Sequence, residues 1–174
     1  MLGTTHRLDG GRQVRLRLTR PNDARAVQEF LERLSPETRH RRFLAPMPRI
    51  REEVVRHFTF YEPLERLVVA ATALGEGGEE IVGLADVSMV HTGVAELGLV
   101  VEEEHQSQGI GRLLTQAIAS LALSRGASHL KAEMLDSSPA LLKLLGHIGQ
   151  TVQSIEDGRA VAYTKLPARS RWAA

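Results

Sequence analysis

Hydrophobic residues recur along the chain at two spacings, and each spacing predicts a different kind of element. Near the amino end, Val14, Leu16 and Leu18 alternate with polar residues, which predicts a half-buried strand. A helical spacing follows, and Asn22 or Asp23 is expected to cap the helix. The apolar face of this first predicted helix consists of Val27, Phe30, Leu31 and Leu34.

Two further helices and a hairpin are predicted downstream. Ser35 at the cap, Pro36 at the first helical position and Glu37 in the first turn predict a second helix. The third is predicted from Ile50 to Phe60, with an apolar face made of Val54, Val55 and Phe58. Residues 66–90 then predict two strands around a turn rich in glycine and glutamate.

The rest of the chain alternates between strands and helices. A turn at 92–93 leads into a strand at 94–101, and a glycine pair then opens a helix that ends before Gly126. The apolar face of that helix consists of Leu113, Leu114, Ala117, Ile118, Leu121 and Ala122. The remaining predicted elements are a strand at 129–135, a helix at 138–149 and a final hairpin that turns at Asp157–Gly158.

This order of elements predicts an α/β fold. We expect one domain over residues 1–166, built on a mixed, mostly antiparallel, twisted sheet that is flanked by helices. Residues 167–174 are predicted to form a C-terminal tail. Neither an internal repeat nor a linker divides the sequence, so a second domain is not expected.

Composition narrows the class of protein. With 174 residues, 43% hydrophobic and 25% charged, the chain is typical of one soluble globular domain. A net charge of +1 and 4% aromatic residues give no indication of a nucleic-acid or membrane partner. The absence of cysteine excludes disulfides, metal sites with cysteine thiolate ligands and a cysteine nucleophile. No apolar segment resembles a secretion signal or a membrane span, so a cytoplasmic location is expected.

Gly109 and Gly111 stand at the entry of a helix, where glycine weakens helix formation. A dinucleotide fingerprint would need a third glycine where Leu114 stands, and a phosphate-binding P-loop would need lysine where Arg112 stands. Two interpretations remain: a tight turn alone, or a helix N-terminus that binds an anion. In the second, glycine lets phosphate groups approach the unpaired backbone N–H groups.

The whole stretch from Gln106 to Gly111 fits a Q/R-x-x-G-x-G/A pattern. It is preceded by a strand and followed by a helix, a strand and a helix, and in this arrangement the chain resembles the GNAT superfamily of acyl-CoA-dependent N-acetyltransferases. The likeness is strongest over residues 94–149, and residues 33–50 resemble a branch that includes bacterial protein lysine acetyltransferases. The resemblance implies acetyl-CoA as co-substrate and a primary amine, on a small molecule or a protein, as acceptor.

The resemblance also implies where the cofactor binds. Leu99, Val100 and Val101 would pair with the pantetheine arm along the strand edge, and Ser138 would contact that arm. In this family the next strand splays away, which opens the acyl-CoA cleft between two central strands. The pyrophosphate would be bound by backbone N–H groups of Gln106, Ser107, Gln108, Gly109, Ile110, Gly111 and Arg112.

Glu96 is the catalytic candidate, because family members often place a glutamate here as general base. The alternative for Glu96 is an ordinary solvent-facing position on a strand. At the position of the family's tyrosine acid the chain has Leu145, which cannot donate a proton, and Tyr163 and His147 are weak substitutes. The missing tyrosine keeps a second function open, namely a catalytically silent acyl-CoA-binding or sensing module.

The densest basic cluster, Arg39 to Arg42, is interpreted as a charged helix face or as a contact for a phosphate or an acidic partner. The resemblance places the acceptor beside the helices between Asp23 and Phe60. The 7 histidines contain no H-E-x-x-H and no paired metal spacing, so no metal is expected. A homodimer remains open as the assembly.

Overall fold

The computed structural model describes residues 2–8, 11–75 and 78–168. The strands are β1 (Thr5–Arg7), β2 (Gln13–Leu18), β3 (Arg66–Gly75), β4 (Gly78–His91), β5 (Val94–Val101), β6 (His129–Met134), β7 (Thr151–Glu156) and β8 (Arg159–Lys165). The helices are α1 (Ala24–Arg33), α2 (Pro36–Phe43), α3 (Glu52–Thr59), α4 (Ile110–Ser124) and α5 (Pro139–Gly146).

All eight strands form one sheet in the order β1-β2-β3-β4-β5-β6-β8-β7. Every neighbouring pair is antiparallel except β5 and β6, which run parallel. The predicted α/β fold with a mixed, mostly antiparallel sheet is therefore confirmed. The parallel pair has α4 as its crossover, as a parallel connection requires.

The parallel pair separates along its length. Residues 94–96 of β5 pair with residues 129–131 of β6, and the last matched pair is Glu96 with Lys131. Beyond it β5 continues to Val101 and β6 to Met134, and within the described residues the two segments do not pair with each other. The predicted splay between two central strands is confirmed, and it leaves one edge of β5 open.

The sheet buries a hydrophobic core on each face. One face lies beneath α4 and α5, where Leu114, Ile118 and Leu145 are fully buried. The other lies beneath α1 and α3, where Phe30 and Phe58 are fully buried. The two cores therefore cover the central strands on both faces of the sheet.

Helix caps match the sequence in one place and differ in another. The Ser35 hydroxyl accepts a hydrogen bond from the Thr38 amide at 3.1 Å, as predicted for the start of α2. Asp23 occupies the predicted N-cap position of α1, but its carboxylate accepts from the Arg20 amide at 2.7 Å, at the start of a 3-10 turn over Pro21–Asp23. Arg17 donates to the same carboxylate, and this ion pair explains why Asp23 leaves α1 without a side-chain cap.

Several boundaries differ from the predictions. The short strand β1 was not predicted, the third helix runs over Glu52–Thr59, and α5 ends at Gly146 rather than at 149. The last hairpin is as predicted, because Glu156 pairs with Arg159 around the turn. Residues 169–174 of the predicted tail lie outside the described residues, so the domain limit at 166 stays a prediction.

Candidate functional site

The glycine turn before α4 has the backbone of an anion-binding site. Gly109 is the N-cap of α4 and has φ +90°, a conformation that side chains disfavour. The first intrahelical bond joins the Leu113 amide to the Gly109 carbonyl, so the N–H groups of the preceding turn have no helical acceptor. Among the described residues no side chain caps them, which leaves them available to a ligand.

Side chains of this loop hold its shape. The Gln106 side-chain amide donates to the Val101 carbonyl at 2.9 Å, which ties the loop to the end of β5. Gln108 donates to the Glu104 carbonyl at 2.8 Å. Ser107 adopts a left-handed conformation with φ +59°, and its side chain is exposed. The side chains therefore position the backbone, while any pyrophosphate contact would come from the N–H groups.

Gly111 has a second reason to lack a side chain. A Cβ at this position would lie 3.1 Å from a methyl carbon of Leu144 on α5, so the glycine also allows the two helices to pack closely. Ile110 is buried in the core, and Arg112 is exposed on the first turn of α4. Gly109 is consequently the clearer position at which to test anion binding.

The open edge of β5 offers backbone groups rather than side chains. Val100 and Val101 are 5% and 9% exposed, and their side chains belong to opposite cores. Leu99 is half-buried. Their other edge already pairs with β4, so only the backbone that faces the splay remains free for an added strand-like ligand.

Ser138 has a structural task in α5. Its hydroxyl accepts a hydrogen bond from the Leu141 amide at 3.4 Å and caps the helix. The predicted contact between Ser138 and the cofactor arm stays a prediction.

Glu96 lies half-buried at the last matched pair before the splay. The strand register places it in a row of polar residues that crosses the sheet, and alternation along the strands puts this row on the face of α1 and α3. The row consists of Arg66 on β3, Ser88 on β4, Glu96 on β5, Lys131 on β6 and Tyr163 on β8. Sequence reasoning found Glu96 but not the row, because register is a property of strand pairing.

Lys131 is the cation next to Glu96 in the row. Its ammonium group donates to Glu133 at 2.6 Å. This hydrogen bond raises the pKa of Lys131, and the negative charges of Glu133 and Glu96 act in the same direction. Lys131 therefore keeps its positive charge at the point where β5 and β6 separate.

A buried ionic cluster surrounds Asp86, which pairs in register with Gly98. Asp86 is 7% exposed and forms an ion pair with Arg42 of α2, and His57 of α3 lies 3.5 Å from its other oxygen. Burial opposes ionisation of Asp86, but Arg42 and His57 outweigh burial and hold the pKa of this carboxyl below its usual value. A Cβ on Gly98 would come within 2.6 Å of Asp86, so glycine makes room for the cluster.

Sequence reasoning missed the Asp86 cluster. The available indication was a single acid inside the apolar strand segment from Val82 to Val87. The basic cluster on α2 divides accordingly: Arg41 pairs with Glu37 on the exposed side, while Arg42 points inward to Asp86. The interpretation as a charged helix face therefore holds for Arg41 and fails for Arg42.

None of the positions considered for a general acid has a side chain well placed for that role. Leu145, at the position of the family's tyrosine, is fully buried in the core. His147 is exposed at the end of α5. Tyr163 belongs to the polar row, and its hydroxyl donates to Glu156 at 3.4 Å. Lys131 is thus the charged donor closest in register to Glu96.

Two surface depressions accompany these elements. One, of about 560 Å³, lies between α1 and α3 and is lined by none of the predicted site residues. The other, of about 480 Å³, is open to solvent and lined by Leu64, Glu65, Arg66, Ser88 and Met89. The second depression therefore adjoins the polar row at its β3 and β4 end.

The described part of the chain has neither a metal-binding cluster nor a membrane-spanning helix. No group of three or more histidine, aspartate or glutamate side chains there is arranged to hold a metal ion. Nor does any described helix have both the length and the apolar composition needed to cross a membrane.

The sequence is similar to a known family and to one characterised relative. The model of the acetyltransferase (GNAT) family matches residues 27–149. Acetyltransferase PA5475 of Pseudomonas aeruginosa is 24% identical over 147 residues, which cover 82% of this chain and 79% of that protein.

Solved structures share the fold. The GNAT domain of S. lividans PAT superposes with a TM-score of 0.82 at 28% identity, covering 94% of this chain and 96% of that one. A GNAT superfamily phosphinothricin acetyltransferase from Sinorhizobium meliloti, solved in complex with AcCoA, has a TM-score of 0.67 at 18% identity and covers 90% of both chains.

Proposed function

This chain belongs to the acetyltransferase (GNAT) family, and from that premise we propose that it transfers an acetyl group from acetyl-CoA to a primary amine. One observation carries the proposal: β5 and β6 separate immediately after Glu96 and Lys131, at the strand that leads to the uncapped N-terminus of α4. A ligand with an anionic end and a strand-like arm fits such a site, with its far end at Glu96.

Two backbone segments would bind different parts of acetyl-CoA. The backbone N–H groups from Gln106 to Arg112 would hold the pyrophosphate, and the open edge from Leu99 to Val101 would pair with the pantetheine amides. Acetyl-CoA supplies the activated acyl carbon. The AcCoA complex of the S. meliloti protein supports this choice of co-substrate.

Glu96 would act as the general base. An alkyl ammonium with a pKa of about 10.4 is almost fully protonated at neutral pH, and only the free amine attacks. Glu96, directly or through one water, takes one proton from the ammonium, the amine nitrogen bonds to the acyl carbon, and the bond from that carbon to sulfur breaks. The second proton that the nitrogen loses passes to solvent. The sulfur leaves as a thiolate, which is a tolerable leaving group, and Lys131 lies nearest in register to offset its charge.

A second function, binding of acyl-CoA without turnover, is favoured by one observation. Leu145 is fully buried where the family has a tyrosine, so this chain has no hydroxyl to protonate the leaving sulfur at that position. In that case the protein would bind acyl-CoA in the cleft as a sensor and would not transfer the acyl group.

Turnover separates the two functions. We expect the purified protein to release free thiol from acetyl-CoA only when a primary amine from a broad panel is present, as followed with a thiol reagent. Binding of acetyl-CoA is measured separately by calorimetry. Tight binding with no amine-dependent thiol release would contradict the transferase and leave the binding module.

A further inference from the structure

Positive charge exceeds negative charge around Asp86. Arg42 forms an ion pair with this carboxylate and stacks on Phe43 and Phe58, each ring centre 5.4 Å away. Arg66 approaches the same carboxylate no closer than 4.0 Å, which is too long for a hydrogen bond. Arg42 therefore neutralises Asp86, and the charge of Arg66 is left over.

Arg66 is partly exposed and has an unsatisfied donor. Its side chain is 31% exposed, and its Nε is buried with no hydrogen-bond partner in the described structure. Arg66 and Ser88 are cross-strand neighbours that together line the open depression of about 480 Å³. Glu65 also lines it, yet among the described residues no ion pair joins Glu65 to Arg66. The depression thus presents the guanidinium group of Arg66 and the hydroxyl group of Ser88, together with a Glu65 carboxylate that does not pair with Arg66.

The same row leads from this depression to the predicted base. Arg66 pairs with Ser88, and Ser88 pairs with Glu96, so two strand spacings separate the arginine from the glutamate. At about 4.8 Å per spacing the backbones lie roughly 10 Å apart, and the two side chains shorten that gap. Glu96, in the middle of the row, suits an ammonium group, and Arg66, at the β3 end, suits an anion.

We propose that Arg66 and Ser88 form a subsite for a carboxylate carried by the acceptor, so that the acceptor class is a small amino carboxylic acid. The inference rests on the proposed function, because the amine of the same molecule would lie at Glu96. A guanidinium group matches a carboxylate through paired N–H donors, and Ser88 adds one hydroxyl donor. A neutral amide at the same place would lose the charge-assisted part of this interaction.

The first test compares matched acceptors. A series of ω-amino carboxylates and the corresponding ω-amino amides differ only in the charge at the far end. We expect kcat/KM to favour the carboxylate by about 10- to 100-fold at the best chain length. Arg66→Gln should reduce that ratio to about one, and Arg66→Lys should keep part of it. Arg15→Gln, at an exposed arginine on β2 that lines neither depression, is the matched control and should keep the full ratio.

The second test reads binding without turnover. Calorimetry with the protein loaded with coenzyme A should show that the carboxylate binds to Glu96→Gln but not to Arg66→Gln. If acetyl-CoA binds and no amine is acetylated, the transferase proposal fails, whereas calorimetry still decides the subsite.

Four outcomes would overturn the subsite. The first three are equal kcat/KM for carboxylate and amide, carboxylate binding that Arg66→Gln does not weaken, and no carboxylate binding at all. Turnover confined to a lysine peptide without acidic groups would overturn it as well. Thermal unfolding of each variant, with Arg66→Lys as the conservative one, separates loss of the subsite from loss of the fold.

Discussion

At the scale of single residues, the general-base role that we propose for Glu96 gives the sharpest prediction. Glu96→Gln keeps the size of the side chain and removes the proton acceptor, so kcat should fall by about 10²–10⁴-fold. Binding of acetyl-CoA should hardly change, because the proposed contacts with it are backbone groups further along the chain. The measurements are steady-state kinetics and calorimetry, with Glu53→Gln on the exposed side of α3 as the control.

The pH dependence adds a second readout for Glu96. Raising the pH should restore part of the rate of Glu96→Gln, since more of the amine then arrives already deprotonated. If the kcat of the variant equals that of the wild type at every pH, Glu96 is an ordinary strand residue. Catalysis would then rest on positioning of the substrates alone.

Glu103 gives a prediction about stability rather than catalysis. Its carboxylate accepts from the Ser35 amide at 3.0 Å, which joins the loop after β5 to the start of α2. Partial burial opposes ionisation, but hydrogen bonds from Ser35 and Thr38 outweigh it and lower the pKa of Glu103 to about 2. Because the folded pKa is depressed, the stabilisation is complete above the ordinary value of 4.5 and is lost as the pH falls towards 2.

Glu103→Gln should therefore destabilise the protein at neutral pH, by about 1 kcal/mol after allowance for solvent screening of this exposed group. The difference from the wild type should shrink between pH 4.5 and pH 2. Urea unfolding at several pH values measures it. A constant difference across that window would show that the carboxylate charge is not what matters.

At the scale of elements, Gly109 and Gly126 form a matched pair at the two ends of α4. Both have positive φ, +90° and +84°, so valine introduces similar backbone strain at either position. Gly109→Val should abolish binding of coenzyme A, because the side chain would obstruct the uncapped N–H groups of the turn. Gly126→Val should lose similar stability and keep the binding.

Calorimetry with coenzyme A, alongside thermal unfolding, compares the two variants. If Gly109→Val binds normally, the turn is only a tight turn, which is the simpler interpretation that the sequence also allows. If both variants lose binding to the same degree, backbone strain rather than obstruction is the cause.

The elements also show what a sequence predicts and what it does not. Alternation and caps located the strands and helices, and the pattern from Gln106 to Gly111 located the uncapped turn. The register of the strands could not be predicted, because it depends on which strands pair in the sheet. The row from Arg66 to Tyr163 was therefore not predicted. Asp86 was missed for the same reason: its partners come from α2 and α3, distant in sequence and joined only by packing.

At the scale of the whole molecule, the proposed binding of acetyl-CoA in the splay predicts that the ligand stabilises the fold. A sheet whose central strands separate leaves an open edge on β5 within the domain, and a ligand that pairs with that edge binds only the folded state. At one hundred times its dissociation constant, such a ligand stabilises the fold by about 2.7 kcal/mol. For a chain of this size, each kcal/mol raises the midpoint of thermal unfolding by about 2–4 °C.

Acetyl-CoA at that excess should accordingly raise the midpoint by roughly 5–11 °C. Pantetheine at the same concentration should raise it much less, because it pairs with the strand edge but brings no pyrophosphate to the N-terminus of α4. Differential scanning fluorimetry measures both shifts. Equal shifts for the two ligands would show that the binding energy comes from the cleft between β5 and β6. The glycine turn would then not contribute to binding. No shift with either ligand would remove the cleft as the binding site and, with it, the position of Glu96 beside the thioester.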